Sequence, residues 1–199
     1  MAGRPPALIF RDSGQGPGLY EMNNNVDDLA GCCGLYCALC SRYQSGAPSR
    51  CIGCKLGEHH SWCTIWNCCV KKRGLRTCAE CPELFQCQVF LKRRVSEWVP
   101  AAGNLKQIKE SGLENWTKEQ RQRRTLLESL LSNYNEGRSM SFYCRACTRF
   151  PLALVRQAVR DADRTIARHE VDKDDRKSRA RILRQAIKDA GLRNGVVLD

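Results

Sequence analysis

The chain is predicted to be mainly α, with a small metal-stapled cysteine-rich N-terminal unit packed on a C-terminal helical bundle and little or no β-structure. The first observation behind this is where the cysteines fall: eleven of the fourteen lie between Cys33 and Cys87. Three pairs there have the form Cys-x-x-Cys, at Cys37/Cys40, Cys51/Cys54 and Cys78/Cys81. A two-residue spacer lets a tight turn aim two thiolates at one point while backbone N–H groups face the sulfurs, which is the device of zinc and iron–sulfur sites. The second observation is that apolar residues recur at helical spacing through the C-terminal half, with no convincing strand pattern. The expected organisation is an arm over residues 1–28, a cysteine-rich metal-binding domain over 29–98 and a helical domain over 99–199.

A chain of 199 residues suffices for one ordinary domain, or for a small metal-stapled unit joined to a helical one. Disulfides are the rival use for so many thiols. They suit secreted chains, whereas the opening MAGRPPALIFRDSGQGPG has no continuous apolar run of signal-peptide length. No apolar run approaches the roughly eighteen residues of a membrane span, so no membrane partner is expected. A reducing, cytoplasmic setting follows as the expectation, and there closely spaced cysteines favour metal over disulfide.

The formal net charge of +12 resembles a nucleic-acid signal but needs correcting. A zinc ion held by four thiolates carries about −2, so two such sites bring the balance to about +8. The basic excess is also spread out: residues 91–150 hold 12 Lys+Arg against 6 Asp+Glu, whereas 1–90 hold 9 against 7. Lys71, Lys72, Arg73 and Arg76 lie between cysteines, where they offset thiolate charge.

In order, residues 1–25 are rich in Gly, Pro and Asn and read as the arm. DDLAGCCGLYCALCSRY predicts a turn and a short helix presenting Cys37 and Cys40, which SGAPSR then breaks. CIGC is a knuckle in which Gly53 lets the backbone turn. CTIWNCCVKKRG predicts about three helical turns ending at Gly74, with basic residues in the last turn, where the helix dipole favours them. Along it only one of the neighbours Cys68 and Cys69 is expected to face the same metal as Cys63.

Pro82 is placed as the first residue of a further helix carrying Cys87. Asn104 is expected to cap a helix that Gly112 stops, and Thr117 to open a capping box with Gln120. Leu126, Leu127, Leu130, Leu131 and Tyr134 form an apolar stripe of helical period, opposite Arg121, Arg123 and Arg124. These arginines read first as a solvated face, and as a nucleic-acid contact second. After a break at Asn135–Gly137, a fourth pair, Cys144/Cys147, sits among aromatics, so Cys144 reads as core. Pro151 opens a helix with Leu152, Val155, Val159, Ala162 and Ile166 on one face; after DKDD, Ile182, Leu183, Ala186, Ile187 and Ala190 mark the last.

With these motifs laid out, the chain resembles an uncharacterised family of cysteine-rich bacterial and archaeal proteins, known only as a domain of unknown function. The likeness lies in Cys33-Gly34-Leu35-Tyr36-Cys37-x2-Cys40, Cys51-x-Gly53-Cys54, Cys63-x-Ile65-x2-Cys68 and Cys78-x-Glu80-Cys81-Pro82 with Cys87. It extends over Asn104-Leu105 to Trp116, over Tyr134 to Cys144 and over the closing helix. The resemblance implies a metal-binding protein and supplies no reaction. It implies ten candidate ligands: Cys33, Cys37, Cys40, Cys51, Cys54, Cys63, Cys68, Cys78, Cys81 and Cys87. Cys32, Cys69 and Cys147 are additional to the pattern.

Eight thiolates close two four-ligand sites, leaving two of the ten spare, and spacing leaves the grouping open. An economical first site joins Cys37/Cys40 to Cys51/Cys54, with the second drawn from Cys63, Cys68, Cys78, Cys81 and Cys87. His59 or His60 would stand in for a thiolate, although EHHSWC reads as an exposed turn. Paired knuckles favour zinc, while Cys81-Pro82 and the three-cysteine groups favour a [4Fe-4S] cluster as the alternative.

Cys33-x3-Cys37-x2-Cys40 also has the spacing of radical S-adenosylmethionine enzymes, but the barrel those enzymes need has no counterpart in the chain. No acid partner can be singled out for Cys/His nucleophilic catalysis either. The expected role is therefore a zinc-binding interaction or accessory module with a protein partner and no enzymatic activity. The alternatives are an iron–sulfur protein carrying electrons or assisting metalloenzyme assembly, and a zinc protein binding nucleic acid through Arg121, Arg123 and Arg124.

Overall fold

A computed structural model describes residues 29–57, 61–92 and 100–198 of the chain. The arm expected over 1–28, the histidines His59 and His60 and the residues 93–99 that would continue the Pro82 helix lie outside them.

The α-helices in chain order are α1 (Ser41–Gln44), α2 (Thr64–Trp66), α3 (Gln88–Lys92), α4 (Ala101–Ser111), α5 (Leu113–Tyr134), α6 (Met140–Arg149), α7 (Leu152–Arg168) and α8 (Arg176–Arg193). The fold is mainly α. Among the described residues there is no strand, only an isolated antiparallel bridge between Ala30 and Tyr36.

The helical period predicted for the C-terminal half is the one that is buried. Helix α5 buries Leu127, Leu130 and Tyr134, α7 buries Val155, Ala158, Ala162 and Ile166, and α8 buries Ala180, Leu183, Ile187 and Ala190. Alanines on both α7 and α8 keep the facing side chains short, so the two helices pack along much of their length. The Tyr134 hydroxyl donates to Asp163, tying α5 to α7, and the Arg179 guanidinium stacks 5.1 Å from the Tyr134 ring centroid, tying in α8.

Helix α8 starts where the Asp175 carboxylate accepts the Ser178 N–H at 3.0 Å. That bond, with the Ser178 hydroxyl beside it, holds the carboxyl below the usual carboxylate range. Because the folded pKa is depressed, the stabilisation is present above the unfolded carboxylate pKa and is lost as pH falls through the folded one. Asp175→Ala should therefore lower Tm at neutral pH, with the difference from the unsubstituted protein closing as the scans move to acid pH.

Three expected helix starts are displaced. Helix α4 begins at Ala101 with Pro100 at its cap, not at Asn104. Ala101 and Leu105, 1% and 0% exposed, both need helical geometry to reach the core, so Asn104 lies inside the first turns; its side-chain amide donates to Gly34 O at 2.8 Å. Helix α5 begins directly after Gly112, which makes Thr117 an interior residue whose hydroxyl donates to Glu114 O at 2.9 Å. Pro82 opens no helix: a single 3-10 turn over Leu84–Gln86 intervenes, and α3 starts only at Gln88. The stops at Gly74 and Gly112 do fall where expected, both at positive φ.

The cysteine-rich residues touch the helical half at named points. Tyr36 meets Trp116 edge to face, with centroids 6.0 Å apart, and Gly34 lies under Leu105 and the Asn104 amide.

Candidate metal centre

All fourteen cysteines are free thiols. Among the described residues, no group of three or more His, Cys, Asp or Glu side chains already stands in the arrangement of a metal site. The thiols nonetheless fall into distinct neighbourhoods.

The first is built from three turns. Cys37 opens a 3-10 turn over Cys37–Leu39, and its sulfur accepts the Cys54 N–H at 3.4 Å. Gly53, at φ +111°, makes the bend that brings Cys54 there. Cys63 stands at the N-cap of α2 and its sulfur accepts the Trp66 N–H at 3.5 Å. Cys33 completes the neighbourhood, close enough to Cys54 and Cys63 to feel both charges; burial, ahead of those charges, pushes its thiol up to about 11. Cys37 is likewise held above the ordinary thiol range, first by its hydrogen bond to the Cys54 sulfur and then by burial. The Cys54 N–H aimed at the Cys37 sulfur works the other way, favouring the thiolate, the form in which cysteine binds metal.

The second neighbourhood surrounds a cavity of about 20 Å³ bordered by Cys68, Cys69, Cys78, Cys81 and Cys87, with Ile65, Leu75, Leu84, Val89 and Phe90 supplying apolar walls. Arg73 reaches into it, donating to the Cys81 sulfur at 3.4 Å and pairing with Glu83 at 2.7 Å. A positive charge beside these sulfurs is the offset expected of the basic residues between the cysteines.

Between the two lies a buried trio. The Cys32 thiol donates towards Cys69 and Cys78, which holds it well above its ordinary range, with burial adding to this. Cys69 is correspondingly pushed down, chiefly by the bond from Cys32 and next by that from Cys78. Its divergence from Cys68 has a local cause. After α2 the chain continues as a π-turn over Asn67–Lys72, whose wider winding leaves both thiols at the border of the same cavity while Cys69 also reaches the trio. Cys69 becomes buried while Cys68 is half-buried.

The arrangement differs from the economical grouping. Cys37 meets Cys54, while Cys40 is exposed and Cys51 is half-buried. Cys63 lies close enough to Cys33 to interact with it, which draws it towards the first neighbourhood. Cys32 and Cys69, set aside as additional to the family pattern, are core members of the thiol trio. The doublets Cys32-Cys33 and Cys68-Cys69 are the signal that could have found them, since the side chains of adjacent residues on a turn point in different directions. Cys144 and Cys147 are both buried on α6, their thiols pushed up to about 12 by burial first, with the neighbouring Cys40 adding for Cys144 and Cys144 adding for Cys147.

The arginines of α5 are mostly committed within the chain. Arg123 pairs with Glu119 at 2.7 Å and donates to Cys147 O and Phe150 O, while Arg124 pairs with Glu128 at 2.7 Å. Their side chains are only 12% and 18% exposed, which leaves Arg121 as the outward cation of the three. No helix among the described residues is long and apolar enough to cross a membrane.

No family model, curated protein or solved structure matches the chain.

Proposed function

We propose that the chain is a zinc-binding protein with two four-thiolate sites, whose metal-held unit serves as an interaction or accessory module for another protein. The observation that carries this reading is the sorting of the ten candidate thiols into Cys33, Cys37, Cys54 and Cys63 on one side and Cys68, Cys78, Cys81 and Cys87 around one cavity on the other. Cys40 and Cys51 then account for the two spare cysteines. Zinc is the metal this favours over a cluster. A cavity of about 20 Å³ has room for roughly one water-sized body, the size of a single ion.

Tetrahedral coordination would take the sulfurs as thiolates, so loading would release protons. Ile52, Leu56 and Trp62, exposed by 42%, 51% and 76%, flank the cysteine turns and supply the apolar surface a protein partner would cover. The inward commitment of Arg123 and Arg124 speaks for a protein rather than a nucleic acid as that partner.

The test is metal analysis of the full chain purified under exclusion of oxygen. Two zinc ions per chain and a colourless protein are expected. Iron and sulfide with broad visible absorption would transfer the same ligands to the electron-carrying reading, and a metal-free, fully folded protein would remove both.

A further inference from the structure

The wide winding of the π-turn over Asn67–Lys72 decides which basic residue meets the sulfurs of the second neighbourhood. The Arg73 N–H donates to Cys68 O at 3.2 Å, a bond spanning five residues, where α-helical winding would bring Lys72 to that carbonyl. Gly74, at φ +64°, ends the turn directly afterwards. The sequence thus spends an uncommon local geometry, one that recurs at functional sites, on placing Arg73 against the cavity.

Once there, Arg73 uses both arms of its guanidinium. Nη1 donates to the Cys81 sulfur at 3.4 Å, Nη2 pairs with Glu83 at 2.7 Å, and the Cys68 sulfur lies within hydrogen-bonding reach. Of the eleven residues bordering the cavity, five are cysteines and five are apolar, which leaves Arg73 as the one cation among them. A zinc ion with four thiolates carries about −2, and such a charge against apolar walls is costly unless it is paired. Glu83 does not cancel the guanidinium. Its side chain is 60% exposed against 36% for Arg73, so water screens the carboxylate more and the field at the sulfurs stays positive.

We propose that Arg73 is a working part of the second metal site: it orients Cys68 and Cys81 and supplies the counter-charge on which retention of the ion depends. This rests on the two-zinc reading and adds a residue to it. Arg73 does not touch the ion; it is a positioning residue that acts through the sulfurs. Partners that orient metal ligands in this way typically account for about 10–100-fold in metal affinity. Lysine is an incomplete substitute, because a single ammonium lacks the rigid planar fork that serves Cys81 and Glu83 from separate nitrogens. N–H bonds from a cation also draw charge from a thiolate, so the bound sulfurs are shielded from electrophiles.

The experiment loads the full chain with zinc under exclusion of oxygen. Zinc affinity is measured by competition with a chromophoric chelator, and alkylation of each cysteine by iodoacetamide at saturating zinc is followed by mass spectrometry. In Arg73→Gln one of the two zinc ions should bind about 10–100-fold more weakly while the other is unchanged. Cys68 and Cys81 should be alkylated faster than in the unsubstituted chain and Cys37 and Cys54 at the same rate, a contrast that a general loosening of the fold would not produce. Arg73→Lys should fall between the two. Lys72→Gln removes the same charge one residue earlier, at an exposed position outside the cavity lining, and should match the unsubstituted chain. If Arg73→Gln behaves as Lys72→Gln does, or weakens both zinc ions alike, the role of Arg73 is overturned and the two-zinc reading stands. An unsubstituted chain that takes up no zinc would overturn both.

Discussion

Replacing Gly34 by alanine is expected to destabilise the protein by about 3 kcal/mol, far more than an exposed glycine-to-alanine change. Gly34 sits at φ +84°, where an L side chain is strained, and an added Cβ would lie 2.7 Å from Ala101 O and 2.8 Å from Leu105 Cγ. Strain at positive φ contributes about 1–2 kcal/mol and forced overpacking about 1–3 kcal/mol. Little can give way: Leu105 is fully buried, Ala101 O belongs to the first turn of α4, and Gly34 O is itself held by the Asn104 amide. Gly74 is the internal control, because it has φ +64° and nothing within 4 Å of an added Cβ. Gly74→Ala should cost only the strain, about 1–2 kcal/mol, in the same denaturant titration. Equal costs at the two positions would mean that the approach of α4 to the cysteine-rich turns does not constrain Gly34.

That contact also shows where reading the sequence stops. Periodicity located α7 and α8 because each of Val155, Ala162, Ile166, Leu183 and Ile187 faces one way whatever the partner. Capping signals at Asn104 and Thr117 misplaced the starts of α4 and α5. A cap is a local pattern, and here distant partners decide: Asn104 spends its amide on Gly34 O, seventy residues back in the chain, and Thr117 sits inside a helix already begun at Leu113. Proline at position 82 marked a turn and not a helix start. The cysteine segment was legible as a concentration of metal-type turns but not in its partnerships. Spacing says which two sulfurs share a turn. Which turns meet depends on the backbone between them, including the π-turn after Trp66, whose winding no periodic pattern announces.

The largest effects are expected from substitutions that separate the ten candidate thiols. Cys54→Ser should cost the first zinc and Cys87→Ser the second, each lowering the bound metal by one equivalent per chain. Apparent binding free energies of structural zinc run to about 10–16 kcal/mol, comparable with the whole stability of a domain, so either loss should unfold the turns around it. Cys40→Ser should retain both metals and near-normal Tm, because its thiol is exposed and outside both neighbourhoods. The helices α5, α7 and α8 bury their own apolar stripes, so chelation should remove the near-ultraviolet signal of Tyr36 and Trp66 while much of the far-ultraviolet helical signal survives. Two results would break this account. One is Cys40→Ser losing as much zinc as Cys54→Ser, which would return the first site to the paired-knuckle grouping. The other is a chelated protein with an unchanged unfolding transition, which would mean that Leu29, Tyr36, Leu39, Ile65 and Leu84 hold the cysteine-rich turns in place without metal.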